Sequence, residues 1–307
     1  MENKTVGKKR IIEKDVVVAR VIAYAVFIIL SILTVFPFII LISGSFSSES
    51  SLSLYGYGLV PKEFSVSAWE YLWMAKSIIG KAYLSTILLT VCGTALTIVV
   101  TSMFAYGLCQ RIPGTKVIMG ILILTLLFNG GIVASYYVWA GWFHIKNTFF
   151  ALLLPNLVTN AFSIILVMSY YKTSIPSELL EAALIDGAGE MRIYFKIVLP
   201  LSGPILATIG LMSALAYWND WTNGLYYISA SAEYSNLHTI QYLLNQMNQQ
   251  IEFMASNPEF AAGFDMQVPQ SSVRMAIALI GVLPLVIAFP FFQKYFAKGL
   301  TLGGVKG

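Results

Sequence analysis

Six stretches of this chain are apolar on nearly every face, at roughly 21–44, 82–108, 117–142, 149–171, 201–221 and 273–293. About 20 such residues in a helix cross a hydrocarbon core of about 30 Å. Helices apolar all round have no polar side to offer water. The pattern predicts an all-α integral membrane protein with six transmembrane helices. Two spans are less uniform: Gly130-Gly131 interrupts the third, and Asn219-Asp220 ends the fifth. Two connections carry a helical period instead. In 172–200, Leu179, Leu180, Ala183 and Leu184 form one apolar stripe. In 222–272, Leu237, Ile240, Leu243, Leu244, Met247, Ile251 and Met254 recur at spacings of three and four, with Gln241, Asn245, Gln246, Asn248, Gln249 and Gln250 on the other face. That is an amphipathic helix, either a solvated cap on the bundle or a polar surface for a partner. Amides both donate and accept, which suits sugar hydroxyls or a protein surface.

Composition agrees with the membrane reading. Of 307 residues, 57% are hydrophobic and 11% charged, against roughly 25% charged in a soluble domain. Mean hydropathy is +0.74. The first 20 residues are basic, and the apolar run of about 24 after them exceeds the 7–15 residues of a secretory signal core, so it is expected to remain as the first span. With the N-terminus inside, fourteen of the 19 Lys and Arg fall in inner segments and five in outer ones, while the acidic residues divide almost evenly. That cationic asymmetry predicts both termini in the cytoplasm. The net charge of +4 then reflects topology. No basic stripe interleaved with aromatics exists, so no nucleic-acid partner is expected.

Several chemistries are excluded or disfavoured. Cys92 and Cys109 stand 17 residues apart near the second span, roughly 26 Å along one helix, beyond disulfide reach. His144 and His238 lie in different outer segments with no cysteine partner, so no metal site is expected. No glycine-rich loop followed by Lys and Ser/Thr is present. No Asp, Glu, Lys or Arg lies deep in a span, where ion-coupled carriers keep their relays. No catalytic residue, cofactor or metal is assigned to this chain, and a transport function would draw its energy from a partner.

The inner segment 172–200 offers a place for that partner. Pro176 suits a helix start, where its missing N–H costs nothing. Glu178 and Glu181 lie near the positive end of that helix. Gly187 and Gly189 are expected to break it, glycine accepting the left-handed conformation. A second short helix from about Glu190 would carry Ile193, Tyr194 and Ile197, with Pro200 stopping it before the fifth span. Ala182 and Ala183 are small enough for close backbone approach. An amphipathic helix lying on lipid headgroups is the plainer reading. Candidate pathway residues come from breaks and aromatics: Asn129, Tyr136, Tyr137, Trp139, Trp218, Asn219, Asp220 and Trp221. Aromatic faces stack on sugar rings and amides bond hydroxyls, although Trp and Tyr also form interfacial belts.

The run Glu181-Ala182-Ala183, Gly187, Ile197, Leu199-Pro200 resembles the cytoplasmic loop of permease subunits of bacterial ABC importers. Ala105-Tyr106-Gly107-Leu108, Ile185-Asp186-Gly187-Ala188, Trp218-Asn219-Asp220-Trp221 and the end from Gln293-Lys294-Tyr295-Phe296 to Gly303-Gly304-Val305-Lys306-Gly307 resemble the carbohydrate-uptake branch, of the maltose type, second subunit. Phe128, Gly130 and Gly131 are similar to its complex-oligosaccharide subgroup. That subgroup has a proline shortly after the double glycine. Here Ile132-Val133-Ala134-Ser135-Tyr136 has none, so either the glycines alone supply the local bend or there is none.

The resemblance implies a type I ABC importer permease fold with a cytoplasmic coupling helix at about 176–187. It divides the chain into a cytoplasmic segment 1–20, a permease domain 21–296 with a coupling loop 172–200 and an extracytoplasmic segment 222–272, and a cytoplasmic tail 297–307. It implies that Glu178, Glu181, Ala182, Ala183, Asp186, Gly187, Ile197, Leu199 and Pro200 couple to an ATPase, with Gly303, Gly304 and Lys306 as a tail contact. The implied partners are a homologous second permease, a dimer of cytoplasmic ABC ATPases holding ATP and Mg, an extracytoplasmic sugar-binding protein, membrane lipid and a carbohydrate, in the bacterial plasma membrane. The alternatives are a permease for a non-sugar solute, or a secondary carrier or membrane scaffold.

Overall fold

The computed structural model describes residues 14–110, 113–257 and 270–302. The described residues form fifteen α-helices: α1 (Lys14–Ser45), α2 (Glu49–Tyr55), α3 (Ser67–Met74), α4 (Lys76–Cys109), α5 (Thr115–Leu127), α6 (Gly131–Tyr136), α7 (Phe149–Leu153), α8 (Ala161–Ser174), α9 (Ser177–Ile185), α10 (Glu190–Ile193), α11 (Leu199–Leu201), α12 (Gly203–Asn219), α13 (Thr222–Tyr227), α14 (Ile240–Ser256) and α15 (Gln270–Leu302). Wider π turns follow α6 and α10, and a 3-10 turn covers Ala232–Leu237. The described residues form no sheet beyond one isolated bridge, Ser47 with Phe64.

Three of the six predicted spans are single long apolar helices, at Val16–Ser45, Lys76–Cys109 and Ser271–Pro290. The fifth belongs to a bent pair, Glu190–Leu201 and Gly203–Asn219, which meet at 79°. The third and fourth are broken. In the third, α5 ends at Leu127 and α6 begins at Gly131, whose φ is 75°. The Asn129 side-chain oxygen accepts from the Gly131 N–H at 2.8 Å. Glycine and an Asx turn thus make the bend without proline. In the fourth, α7 stops after five residues; Asn156 turns at φ 62°, and Asn160 restarts the helix by accepting from the Ser163 N–H at 3.1 Å. A sequence window sees only apolarity and passes over this break.

Backbone broken within so apolar a segment must find its partners inside the protein. Here Asn223, 3% exposed, donates to the carbonyls of Leu152 (3.4 Å) and Pro155 (3.1 Å). Tyr217 donates to Leu153 O at 3.0 Å. Two side chains thereby take the carbonyls that the end of α7 leaves open. The Tyr217 ring also lies where a Cβ on Gly93 would stand, so the glycine of α4 is required by close packing.

The chain divides into two units. In the one built from residues 14–72 and 270–279, Phe46 stacks on Phe64 and Trp69 at 5.7 and 5.5 Å. Glu49 caps the start of α15, accepting from the N–H groups of Ser271 (3.0 Å) and Ser272 (3.2 Å). Side chains of α1 from Val16 to Phe38 are exposed. The other unit, 73–257 with 280–302, is organised by α4, which packs along α8 and α12. One core joins Ala105, Ile164, Val167, Ile193, Val198 and Ile209. Another joins Leu89, Leu152, Tyr217 and Tyr227.

The predicted amphipathic helix in 222–272 is α14, capped by Thr239, whose hydroxyl accepts from the Tyr242 N–H. Ile240, Leu244 and Ile251 are buried, while Asn248, Gln249 and Gln250 are exposed. Tyr242, at 2% exposure, belongs to the buried face as well, although it lies outside the predicted stripe. Its ring packs against Gly224.

Candidate coupling site

Helix α9 starts immediately after Pro176, which is extended at φ −61°, ψ 129°. Glu178 lies in the first turn, matching the positive end of the helix. The helix ends in a Schellman arrangement: Ala188 N–H donates to Ala183 O at 2.9 Å, and Gly187 N–H to Leu184 O at 3.0 Å. Gly187 has φ 74°, and the space where a Cβ would stand is open, so its constraint is backbone conformation, not room. Gly189 differs from expectation. At φ −73°, ψ 157° it is extended and serves as the N-cap of α10, so Gly187 alone supplies the left-handed turn.

The apolar stripe expected on α9 divides in two. Leu180 and Ala183, with Ala188 after the turn, pack against the inner core. Leu179 and Leu184 face outward at 47% and 50% exposure, and Ile185, outside that stripe, stands at 86%. Glu178, Glu181 and Asp186 are exposed, and their side chains make no hydrogen bond or ion pair among the described residues. The surface therefore combines bare aliphatic side chains with unpaired carboxylates.

Beyond Gly189 the chain packs down. Ile193, Tyr194 and Val198 are 3% exposed or less, and Ile197 and Leu199 pack against the same core. Pro200 does not stop the helix where expected. The turn at Tyr194–Val198 widens to π geometry, and Leu199 N–H donates to Tyr194 O. A proline ring clashes with the carbonyl four residues back in a regular α-helix. The wider turn shifts that carbonyl, and helix continues through α11 to Leu201 before the 79° bend at Ser202. Of the nine residues assigned to coupling, Glu178, Glu181, Ala182, Asp186, Gly187 and Pro200 are exposed, while Ala183, Ile197 and Leu199 anchor the loop. Gly303, Gly304 and Lys306 lie outside the described residues.

Four residues outside the assigned coupling set hold this loop. Tyr106 donates to the Glu190 carboxylate at 2.5 Å, and Ser102 and Tyr194 join hydroxyl to hydroxyl at 2.5 Å. The rings of Tyr106 and Tyr194 lie 5.3 Å apart. Spacing offers a faint signal, since 102 and 106, like 190 and 194, are one helical turn apart. Nothing in the sequence says that the two pairs meet. Beside them lies a cavity of about 230 Å³, lined by Tyr106, Cys109, Tyr171, Lys172, Ser177 and Leu180 among others.

The pathway candidates fall into different settings. Asn129 closes the break between α5 and α6. Tyr136 stacks on Tyr227 at 5.7 Å and receives a hydrogen bond from Lys146 at 3.1 Å. Trp139 is half-buried against Phe143, and Tyr137 is exposed. Trp218 is 7% exposed and gives its N–H to Gly281 O at 3.2 Å. Asn219 bonds back to Leu215 O, and Asp220 caps the next turn by accepting from the N–H groups of Thr222 and Asn223. Trp221 is exposed at 39%. Tyr136, Tyr137 and Trp139 share one region after the Gly131 turn, while Trp218 is committed to packing.

Residues 87–302 match the family described as binding-protein-dependent transport system inner membrane component. The chain is 35% identical to the polygalacturonan/rhamnogalacturonan transport system permease protein YtcP of Bacillus subtilis, over 92% of this chain and 96% of that one. It is 27% identical to the arabinooligosaccharides transport system permease protein AraQ of the same organism, over 92% and 94%. Among solved structures it is similar to a chain of a bacterial ABC transporter involved in the import of the acidic polysaccharide alginate, with a TM-score of 0.75, 27% identity, and coverage of 92% and 98%.

Proposed function

Since this chain belongs to the family of binding-protein-dependent transport system inner membrane components, we propose that it is the permease half that admits an oligosaccharide and receives the stroke of a cytoplasmic ATPase through α9. The carrying observation is the surface of α9: exposed Leu179, Leu184 and Ile185 beside Glu178 and Glu181, which are unpaired among the described residues, ended by the left-handed Gly187. Apolar side chains exposed beside carboxylates, on a helix with no Lys or Arg, suit a protein partner better than lipid headgroups. The named cargos of the relatives support an oligosaccharide.

In this reading the six apolar stretches form six spans, two of them broken, with both termini and 172–200 in the cytoplasm. A second permease supplies the other half of the pathway. Two ATPases bind ATP and Mg and close on each other, drawing the coupling helices together. An external binding protein delivers the sugar over the outer segments, which include the amide face of α14. Tyr136, Tyr137 and Trp139 offer sugar-stacking faces past the Gly131 turn.

The test is uptake in proteoliposomes. The complex of this chain, its companion permease and the ATPase pair is expected to import labelled oligosaccharide only with internal ATP and external binding protein. Uptake should persist when a protonophore dissipates the proton gradient at constant ATP. Uptake by this chain alone, lost with the protonophore, would overturn the reading in favour of a carrier.

A further inference from the structure

We infer that Tyr106 and Glu190, backed by Ser102 and Tyr194, are the strut that carries displacement of the coupling helix into α4; the inference rests on the ATP-driven reading above. The link through the backbone is soft. Between α9 and α10 it passes Gly187 and Gly189, the first of them left-handed. The inner side of α9 is only partly filled, since Leu180 and Ser177 border the 230 Å³ cavity. A push on α9 reaches α10 instead through the core, where Leu180, Ala183 and Ala188 pack against the cluster that holds Ile193 and Tyr194.

The side-chain link is stiff. Residues 102 and 106 are one turn apart on α4, and 190 and 194 one turn apart on the loop. They pair 106 with 190 and 102 with 194, two rungs of an antiparallel ladder, each 2.5 Å. The outer rung is a phenol on a carboxylate, the short charge-assisted type. Ring contact at 5.3 Å between Tyr106 and Tyr194 joins the rungs. Ser102 and Tyr194 are 0% and 3% exposed, so water does not compete for the inner rung.

The ladder stands on the helix that can forward the motion. Helix α4 is unbroken for 34 residues. Twenty residues, roughly 30 Å, separate Tyr106 from Thr86, whose hydroxyl accepts from the Ile240 N–H at 2.7 Å and so holds the start of α14. One rigid helix therefore connects the coupling loop to the helix that carries the amide face. The four residues position the loop.

The experiment compares Y106F, E190Q, E190A and the double variant Y106F/E190Q in the full reconstituted complex. Three quantities are read: ATPase retained on purification, ATP hydrolysed, and sugar imported per ATP. Y106F keeps the ring stack and loses only the donor, so the fold is retained. Y106F and E190A are expected to keep the ATPase bound while sugar imported per ATP falls by roughly tenfold, the scale of one lost charge-assisted hydrogen bond. E190Q, which keeps an acceptor, should fall less, and the double variant should be no worse than Y106F, because both remove one interaction. Wild-type sugar-to-ATP ratios in Y106F and E190A would overturn the strut. So would additive losses, or loss of the ATPase itself, which would make Glu190 part of the docking surface. Failure of the wild-type complex to import with ATP would instead strike the proposed function.

Discussion

Single residues here do backbone work that their neighbours cannot take over. Gly187 holds φ 74° where α9 turns. An L-residue in that region costs about 1–2 kcal/mol, too little to unfold the protein and enough to move a docking helix. Gly187→Val is therefore expected to insert normally and to lose sugar-dependent stimulation of ATP hydrolysis; full stimulation would remove the requirement for the left-handed turn. Asn223 has a different task. Its amide serves two carbonyls at the break before α8. Asn223→Ala leaves them without that donor, at about 1–3 kcal/mol for a buried unsatisfied group. The expected outcome is a lower unfolding temperature in detergent with ATPase binding retained. An unchanged temperature would mean that the carbonyls find other donors.

At the scale of elements, α9 is divided between two faces. Leu180 and Ala183 hold it to the core, and Ile185 stands almost free. Exposed positions away from special features tolerate substitution within about 0.5 kcal/mol. Ile185→Lys and Glu181→Lys should thus leave expression and thermal stability unchanged while reducing the ATPase recovered with the complex. Recovery equal to wild type in both would remove α9 as the docking element. The π turn of Tyr194–Val198 is an element-scale device of another kind, since it lets Pro200 sit inside a helix and delays the sharp bend until Ser202.

For the molecule as a whole, the orientation in the membrane decides what each surface can meet. In a background lacking Cys92 and Cys109, single cysteines at Lys116 and Arg192 should resist an impermeant thiol reagent added outside. Cysteines at Glu63 and Gln249 should react. Labelling at Arg192 from outside would invert the topology and take α9 away from any cytoplasmic partner. Both Lys116 and Arg192 fall in segments assigned to the inside by the bias of Lys and Arg, so the experiment tests that bias directly.

What the sequence by itself determined were the properties carried by local pattern. Apolar runs, the amphipathic period of α14 and the turn chemistry at Gly131 and Gly187 each depend on residues a few positions apart. The run from Glu181 to Pro200 pointed to the family in the same way. Tertiary structure alone decided what depends on partners far along the chain. The fourth span reads as one apolar stretch, yet Pro155, Asn156 and Asn160 break it because Asn223 and Tyr217, more than 60 residues away, satisfy its open carbonyls. The stripe of α9 reads as one face, but only the core behind Leu180 and Ala183 leaves Leu184 and Ile185 bare. Tyr106 meets Glu190 across 84 positions. A hydrogen bond needs two groups within about 3 Å, and sequence periodicity carries no distance between helices.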